Sequence, residues 1–440
     1  MLKLGLAALA GLAAMVFAPT TTTATDVNSL GLSATYEVNA AFSWGDGNVT
    51  FRTAASVTNP RPWPVETLAF NLSTLRTGRA ELPVVTVDGA VVQPEIDDQT
   101  VIVPLPAPLE RGSTTVVEFA GSARLNLTPR QGTDEWGFAR NDGVMTAYRW
   151  IPWLTRTTPF DRPSVGDPFV TASSPRVEVT ITSDRPATFA TSGQQTAAIA
   201  GSLTFVAENV RDFNFSASPD YEATSRTVRG TQISFFHRTM SPEAVLDVAA
   251  RSFDHFSERI GAYPYAQLAI AEIGPWAPLE SPSLFWVPNN APARLLPWMT
   301  AHETAHQWFY SVVGNDQARE PFADEALTDF VARDFISRFV RSQCPPGKLD
   351  RTIYDLAECY PWVIYVQGDA FLLRYRQEVG SEAFWRGLAD YYAEFTFGLG
   401  GNRQALAALD AAAGRTEMHT DLFPRLYPPA FPCLPIGPRL

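Results

Sequence analysis

The chain has 440 residues, 45% of them hydrophobic and 18% charged, with a formal net charge of -12. Such a length supports two or three domains with full cores, and an acidic balance without basic runs argues against nucleic acid or an anionic membrane surface as a partner. Three cysteines are too few for a disulfide scaffold.

The chain opens with Met1-Leu2-Lys3 and an apolar run over residues 4–18, the layout of a signal peptide, with cleavage expected near Ala18 or Ala24. A leader over residues 1–24 implies a secreted, extracytoplasmic protein, with no membrane contact beyond an uncleaved anchor. Residues 25–218 then carry short alternating or β-branched runs at 35–42, 48–57, 84–92 around the Asp88-Gly89 turn, 115–125, 176–182 and 203–210. Pro, Gly and Asp separate these runs, which predicts an all-β sandwich or saddle-shaped domain.

From residue 219 to 423 the pattern turns helical, with short strands expected at 231–236 and 268–271. Ser241-Pro242 starts a helix lined by Val245, Val248, Ala249, Phe253, Phe256 and Ile260, and Gly261 ends it. Pro297 starts another, with Trp298, Met299, Ala301, Ala305 and Phe309 apolar and Gly314-Asn315-Asp316 as its stop. A third is predicted over 324–340, and a fourth contains Ala370, Leu372, Leu373 and Tyr375. Outside the cytosol Cys344 and Cys359 could pair and leave Cys433 alone; the alternative is burial as small hydrophobes. Residues 424–440 form a Pro-rich tail.

The chemistry concentrates in His302-Glu303-Thr304-Ala305-His306. Residues four apart on a helix share a face, so both imidazoles can converge on one metal ion. Glu325, at the start of the next predicted helix, supplies a third ligand, the number that leaves a catalytic zinc with an open fourth position. Glu303 lies beside that position without being a ligand, where a carboxylate can act as general base. One zinc ion per chain is therefore expected. Partners that orient the two histidines are expected but not identifiable from the sequence; Glu320 and Asp324 are the nearest acids.

The stretch HETAHQWFYSVVGNDQAREPFADEAL resembles the zinc-binding segment of the M1 family of aminopeptidases, the gluzincins. Eighteen residues separate His306 from Glu325, as in that family, and Gln307-Trp308-Phe309 follows the second histidine. The resemblance implies an N-terminal β-domain followed by a thermolysin-like α+β catalytic domain, without the large C-terminal helical domain of bigger members. It also implies two further roles. Glu280, in Ala277-Pro278-Leu279-Glu280-Ser281, stands where the family's G-A-M-E-N glutamate binds the substrate's α-amino group. Tyr365, which precedes Gly368 and a helix, stands where a tyrosine hydrogen-bonds the oxyanion, with Tyr354 and Tyr360 as alternatives. The second amine contact that relatives draw from the β-domain has no clear counterpart around Arg149-Trp150-Ile151-Pro152. The activity so implied is removal of N-terminal residues from peptide substrates; a zinc endopeptidase and a catalytically silent peptide-binding module are the alternatives.

Overall fold

A computed structural model describes residues 27–130, 133–157, 170–199 and 201–415. The expected leader over residues 1–24 and the Pro-rich tail over 424–440 lie outside those residues. Each β-run expected in the N-terminal part is a strand: Ser33–Phe42, Asn48–Thr58, Glu81–Val87 and Ala90–Val92, Thr114–Arg124, Ser174–Ser183 and Ser202–Val210. Together with Gln194–Ile199 they form one eight-stranded sheet. Along Ser33–Phe42 the residues Ala34, Tyr36, Val38, Ala40 and Phe42 are buried and their neighbours largely face outward, the period-2 pattern of a half-buried strand. Asp88 and Gly89 both take positive φ, 49° and 81°, as a two-residue hairpin turn requires.

Some of the strands that periodicity misses are buried along most or all of their length. Val144–Ala147 and Phe215–Ser218 are buried at every position, and Val65–Asn71 at its last four, so no alternation marks them. They belong to two four-stranded sheets packed against the large one.

After Ser218 the chain builds a five-stranded sheet in the order Glu222–Val228, Thr231–His237, Gln267–Ile273, Leu284–Pro288, Leu279–Ser281. Its middle three strands are parallel. Helix α1 (Pro242–Arg259) is the crossover between the first two of these, and it buries Val245, Ala249, Phe253 and Phe256. Then follow α2 (Leu296–Ala305), α3 (Glu325–Ile336), α4 (Gly368–Val379), α5 (Ser381–Phe395) and α6 (Asn402–Ala412). The expected order, a β-domain and then an α+β domain, is the one observed.

Helix α2 is shorter than its sequence pattern suggests. It stops at Ala305, with His306 as its cap, instead of running to Gly314. Tyr310 then adopts a φ of 112°, and the chain folds back so that Phe309 pairs with Val313. Donors from the β-domain hold the segment that follows. The buried Arg211 guanidinium donates to the carbonyls of Ser311 at 3.2 Å and Val312 at 3.3 Å, in the segment just past the helix, and to the Gly398 carbonyl at 3.0 Å. Arg156 pairs with Asp316 just beyond. Gly314 is therefore needed for the close approach of Arg211 and not as a helix stop: a Cβ there would lie 2.0 Å from Arg211 Nη1. Helix α3 also ends early, at a left-handed Ser337.

Cys344 and Cys359 form a disulfide with Cα atoms 5.9 Å apart. It leads into a π-helical turn, Pro361–Gln367, and Gln367 binds the disulfide loop back through Gly347 N at 2.8 Å and Pro345 O at 2.9 Å. The Gly314 contact gives a direct test. Gly314→Ala should destabilise the protein by about 1–3 kcal/mol through overpacking against Arg211, read from the urea midpoint. An unchanged midpoint would show that the arginine does not fix this segment.

Candidate active site

Helix α2 carries His302 and His306 on one face, one turn apart, and α3 begins with Glu325 opposite them. The two Nε2 atoms are 3.1 Å apart, and each lies 3.2 or 3.3 Å from Glu325 Oε2. Ligand atoms about 2.0 Å from a tetrahedral zinc are separated by about 3.3 Å, so the three donors match the face of such a shell. Their chemistry matches as well. His306 Nδ1 lies 3.0 Å from Asp324 Oδ1, and His302 Nδ1 lies 3.3 Å from Asp329 Oδ1. Those carboxylates place the ring protons on Nδ1 and leave both Nε2 lone pairs facing each other and a buried carboxylate oxygen.

Positive charge resolves that confrontation. Without a metal, protons serve: burial opposes the His302 cation, but Asp329 and Glu325 outweigh it and raise its pKa to about 9. A divalent cation held by His302, His306 and Glu325 would serve all three donors at once.

The structure identifies the orienting carboxylates, which the sequence alone does not. Asp324 does orient His306, whereas Glu320 turns away to accept from Asn402 N at 3.2 Å. Asp329 was missed, although its place four residues after Glu325 puts it on the same face of α3. It also accepts from Trp298 Nε1 at 2.6 Å and Arg333 Nε at 2.7 Å, and Arg333 continues to Asp369 at 2.9 Å.

Glu303 is buried beside the histidines, and burial pushes its carboxyl up to about 8 against the pull of His302 and His306. Tyr365 lies in the π-helical turn before α4, with its ring stacked on His302 at 5.5 Å and the Glu325 carboxylate close enough to act on its hydroxyl. Burial and that carboxylate hold its pKa well above 10, so the phenol keeps its proton and remains a donor. Tyr360 stands edge-on to Tyr365 at 5.9 Å, while Tyr354 packs against Ala318 instead. Gly368 lets α4 close on α3, since a Cβ there would meet Ala326 Cβ at 2.6 Å.

Glu280 sits on the edge strand Leu279–Ser281 and is only 7% exposed. One oxygen each of Glu280 and Glu303 and a ring nitrogen of His306 lie within 4.8 Å of one another. The strand is fixed to α2 by Gln307, whose side chain donates to Ser281 O and accepts from Ser283 N, both at 3.0 Å. Glu280 Oε1 accepts from Gln317 Nε2 at 2.9 Å, and Gln317 Oε1 accepts from Arg149 Nη2 at 3.2 Å. Neither Gln317 nor Arg149 carries a sequence signal for this place. Ligand triangle, carboxylate, phenol and second carboxylate thus line one site, an arrangement able to hold a metal, move a proton, bind an oxyanion and pair with a cation.

No family model and no curated protein sequence matches the chain. Solved structures do match. A single-residue mutant of the M1 zinc metallopeptidase from Deinococcus radiodurans superimposes with a TM-score of 0.72 at 18% identity, over 92% of this chain and 97% of that one. The M1 zinc metallopeptidase from the same organism gives 0.70 at 18% identity over 93% and 97%. A mutant two-domain M1 zinc metallopeptidase bound to L-arginine gives 0.70 at 18% identity over 92% and 96%. The chain therefore has the fold of the two-domain M1 zinc metallopeptidases, with His302, His306 and Glu325 gathered in its α+β domain.

Proposed function

We propose that the protein is a zinc aminopeptidase that removes N-terminal residues from peptides. The observation that carries this reading is the convergence of His302, His306 and Glu325 on one point that Glu303, Tyr365 and Glu280 also face. A solved relative of this fold binds Tyr-Ser-Ala as substrate, which supports a peptide as the ligand here.

A zinc ion held by His302, His306 and Glu325 would supply Lewis acidity and lower the pKa of water to about 7. Glu303, buried and not a ligand, would be kept ionised by the charge of a cation on the neighbouring ligands, so that it accepts the proton of the attacking water and returns it to the departing amine nitrogen. The Tyr365 hydroxyl donates to the oxygen that gains charge at the scissile carbon. Glu280 pairs with the free α-ammonium and so sets the cleavage point one residue in. We further propose an extracytoplasmic location, supported by the leader-like start and by the Cys344–Cys359 disulfide.

Paired peptides with free and acetylated N-termini test the reading. The free form should have a kcat/KM at least tenfold higher, because an acetylated end leaves the Glu280 carboxylate buried without its cation, and Glu280→Gln should shrink that ratio. Internal cleavage of acetylated peptides at an equal rate, unchanged in Glu280→Gln, would make the protein an endopeptidase instead. Tyr365→Phe should lower kcat by roughly 100- to 1000-fold with little change in KM. If Tyr360→Phe shows that loss while Tyr365→Phe does not, the oxyanion donor is Tyr360.

A further inference from the structure

Gln317 lies in the turn between α2 and α3, where its carboxamide is fully engaged. Its nitrogen donates to Glu280 Oε1 at 2.9 Å and to Asp324 Oδ2 at 2.8 Å, so one NH2 group bridges the proposed amine anchor and the carboxylate that orients His306. Its oxygen accepts from Arg149 Nη2 at 3.2 Å. The same Arg149 nitrogen donates to Tyr310 Oη at 3.2 Å, and Arg149 Nε faces Asp212 Oδ2 at 3.4 Å, with both side chains 2% exposed.

Each contact constrains the next. Arg149 offers only donors, so it must meet the amide oxygen, and the NH2 group is thereby turned toward the two carboxylates. Glu280 and Asp324 would repel each other without that donor pair between them. A glutamate side chain has several free torsions, and the bridge fixes them with one oxygen held and the other left for a ligand. Arg149 belongs to the β-domain, whereas Gln317, Glu280 and Asp324 belong to the α+β domain. Arg156, also from the β-domain, holds the adjacent Asp316, so the turn is fixed from the same side twice.

We infer that Gln317, held by Arg149, is a positioning residue for amine recognition: it aims Glu280 at the substrate ammonium. The β-domain thereby sets the preference for free N-termini without touching the substrate. This rests on the aminopeptidase reading and adds to it a residue and a route.

The test is a double-mutant cycle on the full-length protein at saturating zinc, with kcat and KM measured for one peptide in free and N-acetylated form. Gln317→Leu keeps the bulk and removes the donors. It should lower the free-to-acetylated ratio of kcat/KM about tenfold, chiefly through the KM of the free peptide, while zinc stays at one equivalent. In a Glu280→Gln background the same change should alter the ratio little, because the residue it positions is already gone. Arg149→Met should move the ratio in the same direction. Should that variant fail to fold, Gln317→Glu places a carboxylate against Glu280 and Asp324 and should lower the ratio further than leucine does.

Independent, multiplicative losses from Glu280→Gln and Gln317→Leu would overturn the inference, as would equal losses on both peptides or a fall in zinc content. A wild-type ratio near one would overturn the aminopeptidase reading and this inference with it. A large ratio that collapses in Glu280→Gln yet survives Gln317→Leu would overturn only the role of Gln317.

Discussion

Three electron-pair donors held 3.1 to 3.3 Å apart inside a protein repel one another unless a cation lies between them. The structure around His302, His306 and Glu325 is arranged to maintain that confrontation. Asp324 and Asp329 take the outer ring nitrogens, Arg333 and Trp298 steady Asp329, and the stacked Tyr365 ring covers His302. Each of these contacts would be wasted on a pair of ordinary core histidines. They make sense if a divalent cation is the intended partner.

The geometry also depends on where α2 stops. Were the helix to continue to Gly314, Tyr310 could not turn back and Gln317 would not reach Glu280. Arg211, Arg149 and Arg156 hold the observed path by supplying donors from the β-domain to the segment between the two ligand-bearing helices. The β-domain is thus part of the site's framework, and its large sheet and apolar core hold these arginines in place.

How much of this the sequence disclosed follows from the range of each interaction. His302, Glu303, His306 and Glu325 were legible because helical spacing and a short connection bring them together locally. Half-buried strands such as Ser33–Phe42 were legible because one wet face gives them a period; Val144–Ala147 and Phe215–Ser218 were not, because they have no wet face. Asp329 could have been found from its four-residue step along α3. Arg149 could not, since it meets Gln317 across 168 residues and no local pattern encodes that pairing. The path just past α2 is likewise not encoded locally, because the Arg211 that binds its carbonyls is about 100 residues away.

The central claim is that one metal ion on His302, His306 and Glu325 drives peptide hydrolysis. Titrating zinc into chelator-stripped protein while recording hydrolysis of a free N-terminal peptide tests it most directly. The account predicts no turnover at the start, a linear rise, and a break at one zinc per chain, with Glu325→Ala unable to reach it. Full activity in the metal-free protein, or a break unaffected by Glu325→Ala, would contradict it.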